Sequence, residues 1–174
     1  MEIGSGSGEH GVAFQKRFPE IIWQTSDPDI LHRKSINSWI GHEELNKKMP
    51  KPFELDVENI PWKLPWKLSQ SVQGIVSINL IHVATWTCTK ALFKGAGKLL
   101  NGGQFLFLYG PFKIGNKHTS QNNYFFDNSL KMQNDLWGSR NIEEVTEEAK
   151  KNGFFQEDII SMPANNFSII YRRV

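Results

Sequence analysis

The chain has 174 residues, a formal net charge of +2 and 39% apolar residues. This length and apolar content are typical of one folded domain, and we expect residues 1–174 to form a single domain. The small charge gives no indication of nucleic-acid binding, and the single cysteine excludes an internal disulfide and a cysteine-based zinc cluster. With no signal peptide and no apolar run of about 20 residues, the sequence predicts a soluble, cytoplasmic protein without membrane contact or metal site.

The N-terminal part of the chain is predicted to alternate between strands and helices. Residues 1–3 are typical of a strand end, and a glycine-rich loop and a short helix that ends before Pro19 follow. Residues 21–25 are rich in β-formers and predict a second strand. Asp27 and Pro28 are a typical N-cap and first helical residue, so a helix is expected to run from there to about Ile40. This helix is predicted to bury Leu31, Ile36, Trp39 and Ile40.

The middle of the chain predicts three further strands and one long helix. Residues 51–57 alternate between polar and apolar side chains, which indicates a strand with one buried face. Residues 74–80 form a near-continuous apolar run, as expected for a parallel strand that is covered on both faces. A helix is predicted over residues 87–100 and a further buried strand over residues 104–108.

The C-terminal part predicts a lid, a helix and a hairpin. Residues 114–140 are polar, with one helical turn expected around residues 125–132, and are interpreted as a lid over the site. Asn141 and Glu144 are predicted to form a capping box. The last two strands, over residues 155–162 and 167–173, are expected to form an antiparallel edge hairpin. The whole order predicts an α/β fold with a doubly wound, mostly parallel, Rossmann-like sheet.

Polar residues and glycines follow the predicted strands, where ligands of such sheets bind. The glycine-rich loop lets the backbone turn sharply and approach a ligand, and the helix behind it can hold a carboxylate. Asp27 is placed to accept hydrogen bonds from ribose hydroxyls, Asp56 to accept from an adenine amino group, and Asn79 to lie near the reacting group. The predicted binding residues for S-adenosylmethionine (SAM) are Glu2, Gly4, Ser5, Gly6, Gly8, Asp27, Asp56 and Asn79.

Two other functions are compatible with the same residues. Gly6, Gly8 and Gly11 spell the G-x-G-x-x-G pattern of dinucleotide-binding proteins, which would make the chain an NAD(P)-dependent oxidoreductase. Glu2 before the first glycine and the compact glycine spacing favour a SAM loop instead, and 174 residues leave little room for a separate substrate domain. A non-catalytic module that binds SAM without transferring its methyl group also remains open.

Three residues are candidates for catalysis: two follow predicted strands, and His118 lies in the polar segment of residues 114–140. His82 and His118 are candidate general bases because the pKa of an ordinary histidine is near 6.5. Tyr109 follows the predicted strand at 104–108 and is expected to shape the acceptor pocket. Each histidine also has a plainer interpretation: His82 packs against the following helix, and His118 is a solvated loop residue.

Several stretches of the chain resemble one known family. These are residues 2–6, 23–27, 55–57, 79–82, 108–112, 118–119, 126–127 and 162–166. Together they resemble the domain-of-unknown-function 938 family of SAM-methyltransferase-like proteins. The resemblance implies a class I methyltransferase fold, SAM as cofactor, and a small-molecule or protein methyl acceptor. Family members carry an N-terminal helix and a full first strand before the residue matching Glu2, so the first strand is expected to be truncated here.

Overall fold

The computed structural model describes all residues from Met1 to Val174 and contains six helices and six strands. In chain order these are α1 (Glu9–Arg17), α2 (Ile30–His42), α3 (Trp66–Ser71), β1 (Gly74–Ile78), α4 (Trp86–Leu99), β2 (Phe105–Gly110), β3 (Lys113–Ile114), β4 (Lys117–His118), α5 (Gln121–Gln133), α6 (Ile142–Lys151), β5 (Phe154–Met162) and β6 (Asn166–Arg173). Two single 3₁₀ turns, Leu80–His82 and Pro163–Asn165, follow β1 and β5. No helix has the length and hydropathy needed to cross a bilayer.

A four-stranded mixed sheet, in the order β1-β2-β6-β5, forms the centre of the fold. β1 and β2 pair in parallel, whereas β2–β6 and β5–β6 are antiparallel. The predicted α/β class and C-terminal antiparallel hairpin are therefore confirmed. The prediction of a mostly parallel sheet is wrong for these four strands, because the N-terminal segments add only isolated parallel bridges instead of full strands.

Those isolated bridges extend the sheet beyond β1. Ile3 N donates to Val76 O at 2.9 Å, Glu2 N donates to Gln24 O at 2.7 Å, and Ser26 bridges Phe53 in parallel. The strands predicted over residues 21–25 and 51–57 are thus reduced to single pairings. The bridges nevertheless bring the ends of three N-terminal segments to the carboxyl edge of β1.

Helix α2 begins two residues later than predicted. Its N-cap is Asp29, whose Oδ1 accepts a hydrogen bond from Leu31 N at 2.7 Å, so the prediction that Asp27 caps this helix is wrong. Ile36 and Ile40 are buried as predicted, but Leu31 is 66% exposed. Five residues correspond to about 140° around a helix, so Leu31 lies nearly opposite Ile36. Trp39 is only half-buried.

The Asp29 cap is expected to stabilise the folded protein. We expect Asp29→Ala to lower the free energy of unfolding by about 1 kcal/mol, because an orphan backbone N–H of α2 loses its acceptor. Urea unfolding followed by circular dichroism measures this loss. The matched control is Asp135→Ala, since Asp135 is exposed and caps no helix. Equal stabilities of the two variants would show that the cap contributes nothing.

The main hydrophobic core lies between the sheet and helices α4 and α6. Leu92 and Phe93 of α4 and Val145 of α6 pack against Leu106 and Tyr171 of the central strands, and all five are fully buried. A smaller cluster joins α1 and α2 through Val12, Ile36 and Ile40. This second cluster holds the N-terminal loop against α2.

Residues 114–140 are more regular than the sequence predicts. The short hairpin β3–β4 is followed by α5, which has 13 residues in place of the single turn expected. Ser120 caps α5 by accepting from Asn123 N at 3.1 Å, and Leu130 and Asp127 anchor its inner face. Because the anchoring contacts come from distant segments, the local sequence did not reveal the helix.

The capping box predicted at the start of α6 is absent. Asn141 occupies the N-cap position, but its side chain makes no capping hydrogen bond. It bonds Asn116 instead: Oδ1 accepts from Asn116 N at 3.1 Å, and Nδ2 donates to Asn116 Oδ1 at 2.5 Å. This prediction is wrong because a tertiary contact with the β3–β4 turn engages the side chain.

Candidate functional site

Glycines shape the N-terminal loop because its backbone adopts left-handed conformations. Gly4, Gly6 and Gly8 have φ of 68°, 55° and 96°. A Cβ at Gly8 would lie 2.6 Å from Ile36 Cγ1, and one at Gly4 would lie 2.9 Å from Leu80 Cδ1. Gly6, by contrast, faces open space. Glycine is therefore required at Gly4 and Gly8 by conformation and contact together, and at Gly6 by conformation alone.

Asp27 lies directly against this loop. Its Oδ2 accepts from Gly6 N at 2.9 Å, and its Oδ1 lies 2.9 Å from Asp29 N and 3.0 Å from His32 Nδ1. Asp27 is buried, with 5% of its surface exposed. The carboxylate thus fixes the loop and still has acceptor capacity toward a ligand, since two carboxylate oxygens offer about four lone-pair sites.

Glu2 is the second buried carboxyl group at the loop. Its Oε2 accepts from Trp23 Nε1 at 2.8 Å. Burial raises the pKa of Glu2 from 4.5 to about 7, although the hydrogen bonds from Trp23 and Ser5 and the positive charge of the Met1 amino group oppose this. Removing a carboxylate from water is unfavourable, so a ligand with further positive charge would stabilise its ionised form.

A cleft of two adjoining parts lies along the loop. The polar part, of about 430 Å³, contains the predicted residues Glu2, Gly4, Ser5, Gly6, Asp27 and Asn79. The apolar part, of about 270 Å³, is lined by Asp56 together with Ile3, Leu55, Val57, Ala84 and Cys88. Gly4, Pro28, Leu80 and Val83 line both parts, so the two parts adjoin along these residues and are together called the groove.

Asp56 and Asn79 approach this groove from different segments. Asp56 is exposed, and its carboxylate accepts from Glu58 N at 3.0 Å and Asn59 Nδ2 at 3.1 Å. Asn79 follows β1 in the left-handed conformation with φ of 58°. Its backbone N donates to Tyr109 O at 2.9 Å, which brings the carboxyl ends of β1 and β2 together. Gly8, the remaining predicted binding residue, packs against Ile36 of α2.

The candidate base His82 is fully buried, and neither ring nitrogen has a hydrogen-bond partner. Its ring packs edge-on against Phe112, with ring centroids 4.7 Å apart. Burial, and then the nearby Arg140 charge, lower the pKa of His82 to about 3. Such a group is a weak base at neutral pH, so this placement favours packing over proton transfer.

The candidate base His118 belongs to an ion cluster around Asp127. Asp127 Oδ2 lies 2.6 Å from Lys131 Nζ, 3.3 Å from His118 Nε2 and 3.5 Å from Lys113 Nζ. Its Oδ1 accepts from Ser139 N at 2.6 Å. Burial alone would raise the pKa of Asp127, but the Lys131 and Ser139 hydrogen bonds lower it. Burial also lowers the pKa of His118. The cluster ties α5 to β3 and β4, and a catalytic role for His118 stays a prediction.

The groove also contains residues that the sequence did not single out. Leu80 and Val83, in and just after the 3₁₀ turn that follows β1, line both of its parts, and Trp137 lines the apolar part. Leu80 and Val83 are close to Asn79 in the chain, so their position just after β1 could have indicated that they line the groove. Trp137 comes from the segment after α5, and no local pattern connects it with the N-terminal loop.

Solved methyltransferase structures share this architecture. Mitomycin 7-O-methyltransferase MmcR matches with a TM-score of 0.83 and 14% identity, over 99% of this chain and 48% of that chain. The structure described as PigF with SAH matches with a TM-score of 0.79 and 14% identity, over 99% of this chain and 49% of that chain. The S-adenosylmethionine-dependent methyltransferase SibL in its apo form matches with a TM-score of 0.79 and 12% identity, over 99% of this chain and 49% of that chain. The chain therefore has the methyltransferase-like fold and spans about half the length of these structures.

A family model gives the assignment at the level of sequence. It covers residues 1–173, nearly the whole chain, and is described as a protein of unknown function. The resemblance carried by the loop and the strand-end stretches is thereby confirmed. The chain belongs to the DUF938 family.

Proposed function

We propose that this protein is a SAM-dependent methyltransferase that acts on a small-molecule or protein acceptor. The observation that carries the proposal is the groove in which the glycine loop, Asp27 and Asp56 meet. The methyltransferase-like fold of the structural neighbours supports it, and two of those neighbours are described with SAH or as SAM-dependent.

The two parts of the groove match the two ends of SAM in chemistry. The apolar part offers aliphatic walls for a flat adenine ring, with the Asp56 carboxylate at its margin to accept from an amino group. The polar part offers backbone N–H groups at the start of α1 for a carboxylate, and the buried carboxyl groups of Glu2 and Asp27 for positive charge and hydroxyls. The residues present therefore fit this cofactor.

Bound SAM would supply an electrophilic methyl group on a sulfonium, which an acceptor atom displaces in line so that S-adenosylhomocysteine leaves. The chain's task is then to bind and orient the two molecules. The polar part of the groove lies beside Asn79, where the carboxyl ends of β1 and β2 are joined. The acceptor is accordingly proposed to approach over this edge, near Tyr109.

A variant of Asp56 tests the adenine assignment. We expect Asp56→Asn to weaken SAM binding about tenfold, because an amide in place of the carboxylate loses a charge-assisted hydrogen bond. Isothermal titration calorimetry with SAM and S-adenosylhomocysteine gives the two affinities. Asp135→Asn is the matched control, since Asp135 is exposed and lines neither part of the groove. An unchanged affinity for Asp56→Asn would remove Asp56 from the site.

Catalysis and simple binding are separated by a transfer assay. Tritiated SAM is incubated with the protein and cell extract, and the small-molecule and protein fractions are counted. Label in either fraction, absent with heat-inactivated protein, supports the methyltransferase. SAM binding without label would favour a non-catalytic module. NADH binding without SAM binding would favour the oxidoreductase that Gly6, Gly8 and Gly11 also allow.

A further inference from the structure

The distribution of charge along the chain is uneven. Between Glu58 and Asp127 the sequence contains no acidic residue and no arginine, but seven lysines. Six of these are exposed and take part in none of the ion pairs of the structure. One of the six, Lys117, lies on β4. The other five lie on α4 and on the segment that runs into and through α3: Lys63, Lys67, Lys90, Lys94 and Lys98. This stretch of the chain is therefore strongly positive, although the whole protein is nearly neutral.

The five lysines lie on two elements that touch. Lys90, Lys94 and Lys98 follow one another at four-residue spacing along α4, which places them on one face about 6 Å apart. Trp62 packs directly on Gly95 of α4, where a Cβ would have no room. Lys98 also lines one pocket, of about 250 Å³, with residues of the segment that runs into α3. The basic face of α4 thus continues into the loop and helix that carry the other two lysines.

An exposed tryptophan lies in the middle of this second element. Residues 61–68 contain the unit Pro-Trp-Lys-Leu twice. In the first copy, Trp62 Nε1 donates to Val57 O at 3.0 Å and the ring is half-buried. In the second copy, Trp66 is 75% exposed, whereas the other five tryptophans are buried to a larger extent. Trp66 sits between Pro65 and Lys67, which are exposed as well.

We propose that this basic tryptophan surface, formed by Trp66 and the five lysines, docks on an anionic membrane surface. Tryptophan is favoured at the level of lipid headgroups, and each lysine near an anionic leaflet contributes about 1 kcal/mol. Nucleic acids are the less suitable partner, because forked arginine guanidinium groups dominate their recognition and this surface has none. The proposal departs from the expectation, stated above, that the chain makes no membrane contact.

The docking surface is separate from the cofactor groove. Thr85, just before α4, lines the apolar part of the groove, and Lys98 lies near the other end of that helix. Twelve helical residues separate Trp86 from Lys98, a rise of about 18 Å. Neither Trp66 nor any of the five lysines lines the groove, so neither proposal depends on the other.

Vesicle sedimentation tests the docking proposal. We expect the full chain to sediment with phosphatidylcholine vesicles that contain about 30% phosphatidylserine, but not with pure phosphatidylcholine. The triple variant K90Q/K94Q/K98Q is expected to bind about 100-fold more weakly, and Trp66→Ala about tenfold. A second comparison is matched in charge. K63Q/K67Q removes two exposed lysines of the basic tryptophan surface, and its control K47Q/K48Q removes two exposed lysines outside this surface. Circular dichroism confirms that each variant is folded.

The same experiment defines what would overturn the proposal. Wild-type binding that is independent of phosphatidylserine would do so, as would equal binding by K47Q/K48Q and K63Q/K67Q. Duplex DNA or RNA is added as a competitor in a second series. Tight binding to either, without any binding to vesicles, would assign the surface to nucleic acid and overturn the membrane assignment.

Discussion

Gly8→Ala is expected to lower the free energy of unfolding by about 3 kcal/mol. The left-handed conformation at Gly8 costs any residue with a Cβ about 1–2 kcal/mol, and crowding in a packed interior adds about 1–3 kcal/mol. The crowding arises because the new methyl group would lie 2.6 Å from Ile36 Cγ1 and 3.1 Å from its Cα. Since α2 backbone is involved, the loop must move, and SAM affinity should fall with stability.

Gly6→Ala separates the two contributions to this effect. Gly6 also has a left-handed φ, of 55°, but no atom lies within 4 Å of its added Cβ. We therefore expect a loss of only about 1–2 kcal/mol in the same urea unfolding experiment. Equal losses for the two variants would contradict the contact between Gly8 and Ile36.

Glu2→Gln is expected to change the pH dependence of stability. The folded protein holds the Glu2 proton more tightly than the unfolded chain, with a pKa of about 7 against 4.5. The unfolded chain therefore releases this proton first as pH rises, and stability falls between about pH 4.5 and pH 7, then stays level. The full contribution is about 3 kcal/mol. Glutamine does not ionise, so the variant should lose this decrease and be more stable than the wild type at pH 8.

Cofactor binding should respond to Glu2 in the opposite direction. A cationic ligand favours the ionised carboxylate. The affinity of the wild type for SAM is therefore expected to increase as pH rises toward 7, by up to about tenfold per pH unit. In Glu2→Gln this rise disappears and the affinity at pH 8 is lower. Calorimetry between pH 5.5 and 8 measures both, with Glu9→Gln, an exposed carboxyl on α1, as the control. A pH profile in Glu2→Gln like that of the wild type would rule out this role.

The sequence allowed the loop to be predicted because its constraints are local. Glycine at Gly4, Gly6 and Gly8 reports backbone conformation directly, and Asp27 follows at a spacing that brings it to Gly6 N. The strand β1 was also predictable, since a parallel strand covered on both faces has a near-continuous apolar sequence, which only Ser77 interrupts here. Asp27 lines the polar part of the groove and Asp56 the apolar part, and their shared role in cofactor binding stays a prediction.

The failures concern features that depend on distant contacts. Residues 21–25 have strand-forming side chains, yet Ile22 is 69% exposed. The backbone of this segment pairs with the two neighbouring segments only through Gln24 O, which accepts from Glu2 N, and Thr25 O, which accepts from Phe53 N. Helix α5 is anchored through Asp127 to Lys113 and to Ser139, residues before and after it in the chain. Trp137 likewise reaches the groove only through tertiary folding. Periodicity over a short window contains no information on such partners.

Calorimetric titration of the wild-type chain with S-adenosylhomocysteine at pH 8 decides whether the groove is a cofactor site. We expect binding to one site per chain, with the heat signal abolished when SAM already fills the groove. A titration with no heat up to millimolar ligand, under conditions in which NADH binds, would contradict it.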